Sequence, residues 1–137
     1  MTYAVGAALQ QAVYQALVDN SAVTALVGGS VYDALPRGSL PDSYVTLGPE
    51  DVRAGTDRTG AGAWHRLTVS VVSGKAGFHH AKKIAAAVSD ALIGADMTLE
   101  RGRLTGLHFY RARARREGTG DVRRIDLTFR ARVDDTP

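Results

Sequence analysis

The 137-residue chain contains no cysteine. This excludes a disulfide framework, thiolate-ligated zinc, iron–sulfur clusters and a cysteine nucleophile. Long apolar runs are missing too, and none approaches the roughly 18 residues of a membrane span. The start, Met1-Thr2-Tyr3-Ala4, lacks the positive charge that opens a signal peptide. The expectation is a soluble cytoplasmic protein that does not engage a membrane. Catalytic signatures are equally scarce: there is no GxSxG elbow, no dinucleotide GxGxxG and no HExxH-type spacing. Ser73-Gly74-Lys75-Ala76-Gly77 occupies the place of a phosphate-binding loop between a strand and a helix. Val69 replaces its first glycine, however, and Ala76 its Ser or Thr, so it reads as a turn with a solvated lysine.

The remaining titratable groups form no constellation. The histidines are His65, His79, His80 and His108, and adjacent helical positions differ by about 100° in direction, so His79 and His80 do not converge on a metal. Glu50-Asp51 is the only adjacent acidic pair before Asp134-Asp135, and an extended backbone sends its two side chains apart. Nothing sets two carboxylates across a cleft. No catalytic residue, metal ligand or cofactor site is assigned, and an enzyme is not expected.

The composition, 45% hydrophobic and 23% charged, suits one globular domain over residues 1–137. A chain of this size buries roughly two-thirds of its unfolded surface and folds without a covalent staple. Residues 3–18 carry apolar side chains at three- and four-residue spacing, predicting an amphipathic, alanine-rich helix with Thr2 as N-cap. Residues 22–27 add another helical turn or two, stopped by Gly28-Gly29. Two prolines and a glycine make residues 35–42 an irregular crossing. Residues 44–47 read as a short strand ended by Gly48-Pro49, and residues 52–56 as a weak one. The Gly-rich polar stretch 55–62 reads as a mobile surface loop, expected to order on assembly.

Residues 64–73 alternate strictly, with Leu67, Val69 and Val71 on one face and Trp64, Arg66, Thr68 and Ser70 on the other. A second helical stripe runs from Phe78 to Leu92 between Gly77 and Gly94. A short strand is predicted at 97–99, then two long strands, 104–116 and 122–133, joined as a hairpin. A two-residue turn at Gly118-Thr119 sets Tyr110 against Leu127, Arg111 against Asp126 and Ala112 against Ile125. Tyr110 and Ala112 then face the core with Ile125, Leu127, Phe129, Ala131 and Val133. In that register Leu107 and Phe109 share a face with Arg111, Arg113 and Arg115. Either the strand bulges near Phe109, or another subunit buries that end of the face. The fold class is α+β: a mostly antiparallel sheet with two helices packed on one face and a long C-terminal hairpin.

Charge is distributed unevenly. Residues 1–74 hold four Arg against six acids, whereas residues 101–137 hold ten Arg against five. Arg111, Arg113 and Arg115 alternate along one hairpin strand, and Arg124, Arg130 and Arg132 along its partner, around Asp126. One reading is a solvated face on which long Arg stems cover apolar surface. The other is a basic surface, Arg111, Arg113, Arg115 and Arg124, that meets a partner. Without interleaved aromatics it would grip nucleic acid by phosphate alone. A small nucleic-acid-binding module using this hairpin is the alternative function.

Gly29-Ser30-Val31-Tyr32-Asp33-Ala34-Leu35-Pro36 and Pro41-Asp42-Ser43-Tyr44-Val45-Thr46-Leu47-Gly48 resemble the tail-terminator (tail completion) proteins of long-tailed phages and phage-derived gene transfer agents. The resemblance continues in order through a polar Gly-rich stretch, His65-Arg66-Leu67-Thr68-Val69-Ser70-Val71, the alanine-rich helix, Leu107-His108-Phe109 and Leu127-Thr128-Phe129-Arg130-Ala131. It covers nearly the whole chain. It implies a structural virion protein without catalysis or cofactor, a homo-oligomer whose hexameric ring caps the tail tube and joins it to the head-side connector or stopper protein. A globule of this size has a radius of gyration of about 14 Å and a diameter of roughly 35–40 Å. Six such spheres in a ring leave a hole about one sphere wide, enough for a DNA duplex. The acidic first half and basic last third supply the two unlike patches that a ring contact needs.

Overall fold

The computed structural model describes residues 3–55, 62–118 and 121–135. Three helices, α1 (Gly6–Val18), α2 (Ser21–Val27) and α3 (His79–Ile93), pack on a five-stranded sheet. The strands are β1 (Val31–Tyr32), β2 (Ser43–Ala54), β3 (Gly62–Ser73), β4 (Arg103–Glu117) and β5 (Val122–Asp134), in the spatial order β1-β2-β3-β5-β4. All pairings are antiparallel except β1 with β2. The α+β class with a mostly antiparallel sheet is as expected from sequence.

The alternation of β3 and β5 builds the core. Leu67, Val69 and Val71 stand beside Phe129, Leu127 and Ile125, and all six are buried. They meet Leu9, Val13 and Leu17 of α1, Val23 and Val27 of α2, and Ile84, Val88 and Leu92 of α3 in one apolar cluster. The second short helix follows from Asn20, whose side chain accepts a hydrogen bond from the Val23 amide at 3.1 Å. The helices therefore lie on one side of the sheet, and the other side carries no helix or strand among the described residues.

Several local expectations are corrected. Helix α1 starts at Gly6 with Val5 in the N-cap position, not at Tyr3; Thr2 lies outside the described residues. The Tyr3 ring stacks on the fully buried His65 at 6.3 Å between centroids, and its hydroxyl donates to Glu50 Oε1 at 2.6 Å. Glu50 and Asp51 do point apart, Glu50 to within 3.5 Å of His65 Nδ1 and Asp51 to the opposite side, beside Arg66. Gly48-Pro49 does not end a strand. The ladder to β3 slips between Leu47 and Glu50, which accommodates a proline with no amide hydrogen to donate, and β2 continues to Ala54. Residues 97–99 form no strand, although Leu99 is buried. The proposed loop at 55–62 falls largely on residues 56–61, outside the described residues.

The hairpin register also differs. Near the turn Arg113, not Arg111, stands opposite Asp126, Ala112 opposite Leu127, and Glu117 opposite Val122, a register two residues away from the one that a turn at Gly118-Thr119 sets; Thr119 itself lies outside the described residues. The register then shifts between Phe109 and Arg111 and again between Leu104 and Gly106. The first shift is a bulge at Tyr110, one of the two expected alternatives. It turns Phe109 and Leu107 to the helix side, opposite Phe129 and Ala131, while Arg111, Arg113 and Arg115 remain on the uncovered side. Tyr110 consequently does not face the core.

Candidate interaction surface

The uncovered side of the sheet presents Trp64, Arg66, Thr68 and Ser70 from β3, Arg124, Asp126, Thr128, Arg130 and Arg132 from β5, and Arg111, Arg113 and Arg115 from β4. Each is placed by alternation with a neighbour on the helix side. The four sequence-predicted residues, Arg111, Arg113, Arg115 and Arg124, come together. They line one groove of about 340 Å³, floored by Thr68, Ser70, Asp126 and Thr128, with Pro49 at its side.

Their charges are not equally available. Asp126 accepts hydrogen bonds from Ser70 Oγ at 2.6 Å, Arg124 Nε at 2.9 Å and Arg115 Nη2 at 3.4 Å. Arg124 also lies 3.7 Å from Glu117 and donates to Ser70 Oγ at 3.2 Å. Partial burial pushes the Asp126 pKa up, but the Ser70 and Arg124 hydrogen bonds and the Arg124 and Arg115 charges outweigh it, so the carboxyl lies below its ordinary value. Arg115 and Arg124 are thus partly neutralised within the chain. Arg111 and Arg113 have no ion pair among the described residues and are exposed. The expected pairing of Arg111 with Asp126 is corrected: a two-residue change in register puts Arg113 opposite Asp126, while the carboxylate is held by Arg124, two residues away on the same strand, and by Arg115 on the neighbouring one.

Sequence reasoning missed a second cluster. Arg66 lies over the Tyr110 ring at 4.5 Å, and Arg130 reaches both Trp64 at 4.7 Å and Tyr110 at 5.7 Å. Arg132 approaches Trp64 at 5.5 Å. The basic face therefore does interleave arginine with aromatics through cation–π contacts. Trp64 and Arg66 were legible as one face from their alternation, but Tyr110 joins them only through the bulge.

Other sequence candidates lie apart. Lys75 is 3.8 Å from Asp42, and the Gly74 amide donates to the Asp42 carbonyl, so the glycine-lysine segment is a turn tied to the start of β2. The histidines are scattered: His65 is in the core, His79 and His80 on α3, and His108 on β4. Among the described residues no group of three or more His, Cys, Asp or Glu could hold a metal ion.

Residues 11–134 match the family described as tail completion protein gp17. The chain belongs to this family. It is a structural protein of a virion tail and not an enzyme. A chain of the solved "Virion of native gene transfer agent (GTA) particle" is 59% identical to it, with a TM-score of 0.92 over 97% of this chain and 99% of that one. No curated protein matches it. For a tail completion protein, a broad sheet face left without helical cover is a surface available to the neighbours it is assembled with. No helix among the described residues is long and apolar enough to cross a membrane.

Proposed function

We propose that this tail completion protein is a subunit of a hexameric ring that terminates the tail tube and joins it to the head-side connector, with double-stranded DNA passing through the ring. The observation that carries the reading is end-to-end similarity, at 59% identity, to a chain of a gene transfer agent virion. A change of assembly role is not expected where both chains align over nearly their full length. Arg111, Arg113, Arg115 and Arg124 are the partner-binding residues in this reading. They project from a sheet face without helical cover among the described residues, and Arg111 and Arg113 make no ion pair there.

Electron microscopy of tail tubes incubated with the purified protein tests the ring directly. The expected result is a six-fold cap at one tube end, and tubes that stay uncapped and fail to join heads would overturn it. The alternative of a nucleic-acid-binding module draws support from the Arg–aromatic cluster at Trp64, Arg66, Tyr110 and Arg130. It requires tight duplex binding by the free subunit with a steep salt dependence. A tail ring protein needs neither.

A further inference from the structure

Six large apolar side chains are exposed among the described residues, and four of them belong either to the edge strand β4 or to the segment that links the other edge strand, β1, to β2. Leu35 and Leu40, 49% and 39% exposed, follow β1; Phe109 and Tyr110, 51% and 44% exposed, lie on β4. In the order β1-β2-β3-β5-β4 these edges are separated by four strand spacings, about 19 Å at 4.8 Å each. The two edges face opposite ways.

They also differ in chemistry. Strand β4 is 15 residues long, and one of its sides is unpaired among the described residues. On its helix side Phe109, Ala112 and Ala114 remain exposed, and on its other side stand Arg111 and Arg113. The β1 edge is short and borders a groove of about 470 Å³ between itself and α1, lined by Gln10, Tyr14, Tyr32 and Asp33. Asp33 has no ion pair among the described residues. A two-fold pairing of β4 with β4 would set Arg103, Arg111, Arg113, Arg115 and Arg116 of one copy against the same row of another, with Glu117 as the strand's only acid. Like charges opposed across a ladder are destabilising. Against the β1 edge, the same strand meets a carboxylate with no ion pair among the described residues and two tyrosines, followed in the chain by the exposed Leu35 and Leu40.

We propose that copies of this chain join head to tail, the β4 edge of one copy seated on the β1 edge of the next. Phe109 enters the groove beside Tyr14 and Tyr32, and Arg111 and Arg113 approach Asp33. Contacts between two unlike patches propagate head to tail, and they close as a ring when each copy is rotated by an equal fraction of a turn relative to the last. The inference deepens the ring reading and rests on it, because it assigns the contact between subunits.

The absence of native cysteine allows a clean test. Tails are assembled with the double variant Phe109→Cys, Leu35→Cys, treated with a short flexible bis-maleimide and denatured. The expected result is a ladder of covalent multimers ending in a closed species. Neither single variant cross-links by itself, and a mixture of the two single variants stops at the dimer, since each copy then carries one reactive edge. Covalent dimers from Phe109→Cys alone would indicate a two-fold contact between β4 edges and overturn the proposal. Rings visible at tube ends without any ladder in the double variant would overturn this contact and leave the ring standing. If wild-type protein forms no ring, the ring reading falls and this contact with it. Both substitutions are at exposed positions, and unchanged thermal melting of the variants confirms that they fold.

Discussion

The Asp126 carboxylate accepts a hydrogen bond from Arg124 Nε at 2.9 Å, two residues away on the same uncovered side of β5. With Ser70 and Arg115 on the same carboxylate, this is the electrostatic centre of the basic face. Its folded-state pKa is depressed, so the stabilisation it contributes is present above the unfolded-state value and is lost as pH falls through the lower folded value. Asp126→Asn should cost about 1 kcal/mol at neutral pH, a figure reduced from that of a buried charged hydrogen bond because the group is partly exposed. In urea titrations at neutral and acid pH, the gap between wild type and variant should narrow as the Asp126 carboxylate becomes protonated. A gap that widens in acid would contradict the assignment.

The four site arginines should separate into two pairs. Arg111→Gln with Arg113→Gln removes charges that make no ion pair among the described residues, so stability should change by no more than about 0.5 kcal/mol. Arg115→Gln with Arg124→Gln strips Asp126 of both its cationic partners and should cost about 1–2 kcal/mol. If the face meets an anionic partner, the first pair should impair tail completion without a stability defect. Thermal melts alongside a head–tail joining assay distinguish the two, and full activity of Arg111→Gln, Arg113→Gln tails would return the face to a solvated role.

Two glycines with positive φ should respond differently to alanine. At Gly102, φ is 73°, and an added Cβ would lie 2.7 Å from the Asp134 carbonyl oxygen and 2.9 Å from Val5 Cγ2. At Gly118, φ is 64° and nothing lies within 4 Å. Gly118→Ala should cost about 1 kcal/mol, the ordinary penalty of the left-handed conformation. Gly102→Ala adds a clash with backbone that has no flexible end to move aside, and should cost clearly more. Chemical denaturation of the two variants gives the comparison directly.

Much of the architecture was legible because period and composition act locally. The strict alternation of residues 64–73 and the three- and four-residue spacing on either side of Ala85 each satisfy a geometric repeat over a dozen residues, and the structure has β3 and α3 at those places. The four arginines of the candidate face were legible as a cluster for the same reason: alternation on two adjacent strands puts them on one side. Tyr110 was not, and with it the Arg–aromatic cluster, because a bulge leaves no mark in hydrophobic periodicity except a contradiction. That contradiction, Leu107 and Phe109 in step with Arg111 and Arg113, was visible and had two solutions.

The chain's own sequence thus determined the element types, the exclusion of thiol and metal–thiolate chemistry and the concentration of arginine in the last third, since each depends only on residue identity and short-range spacing. Tertiary structure decided which arginines are neutralised and which side of the sheet stays open. Phe109 meets Phe129 edge-on at 6.1 Å because β4 spends one residue on a bulge, and that residue returns the preceding apolar positions to the helix side while the arginines stay outside. A ladder register depends on the turn, the bulge and the packing of both strands at once, and a one-residue change moves every side chain beyond it to the opposite face.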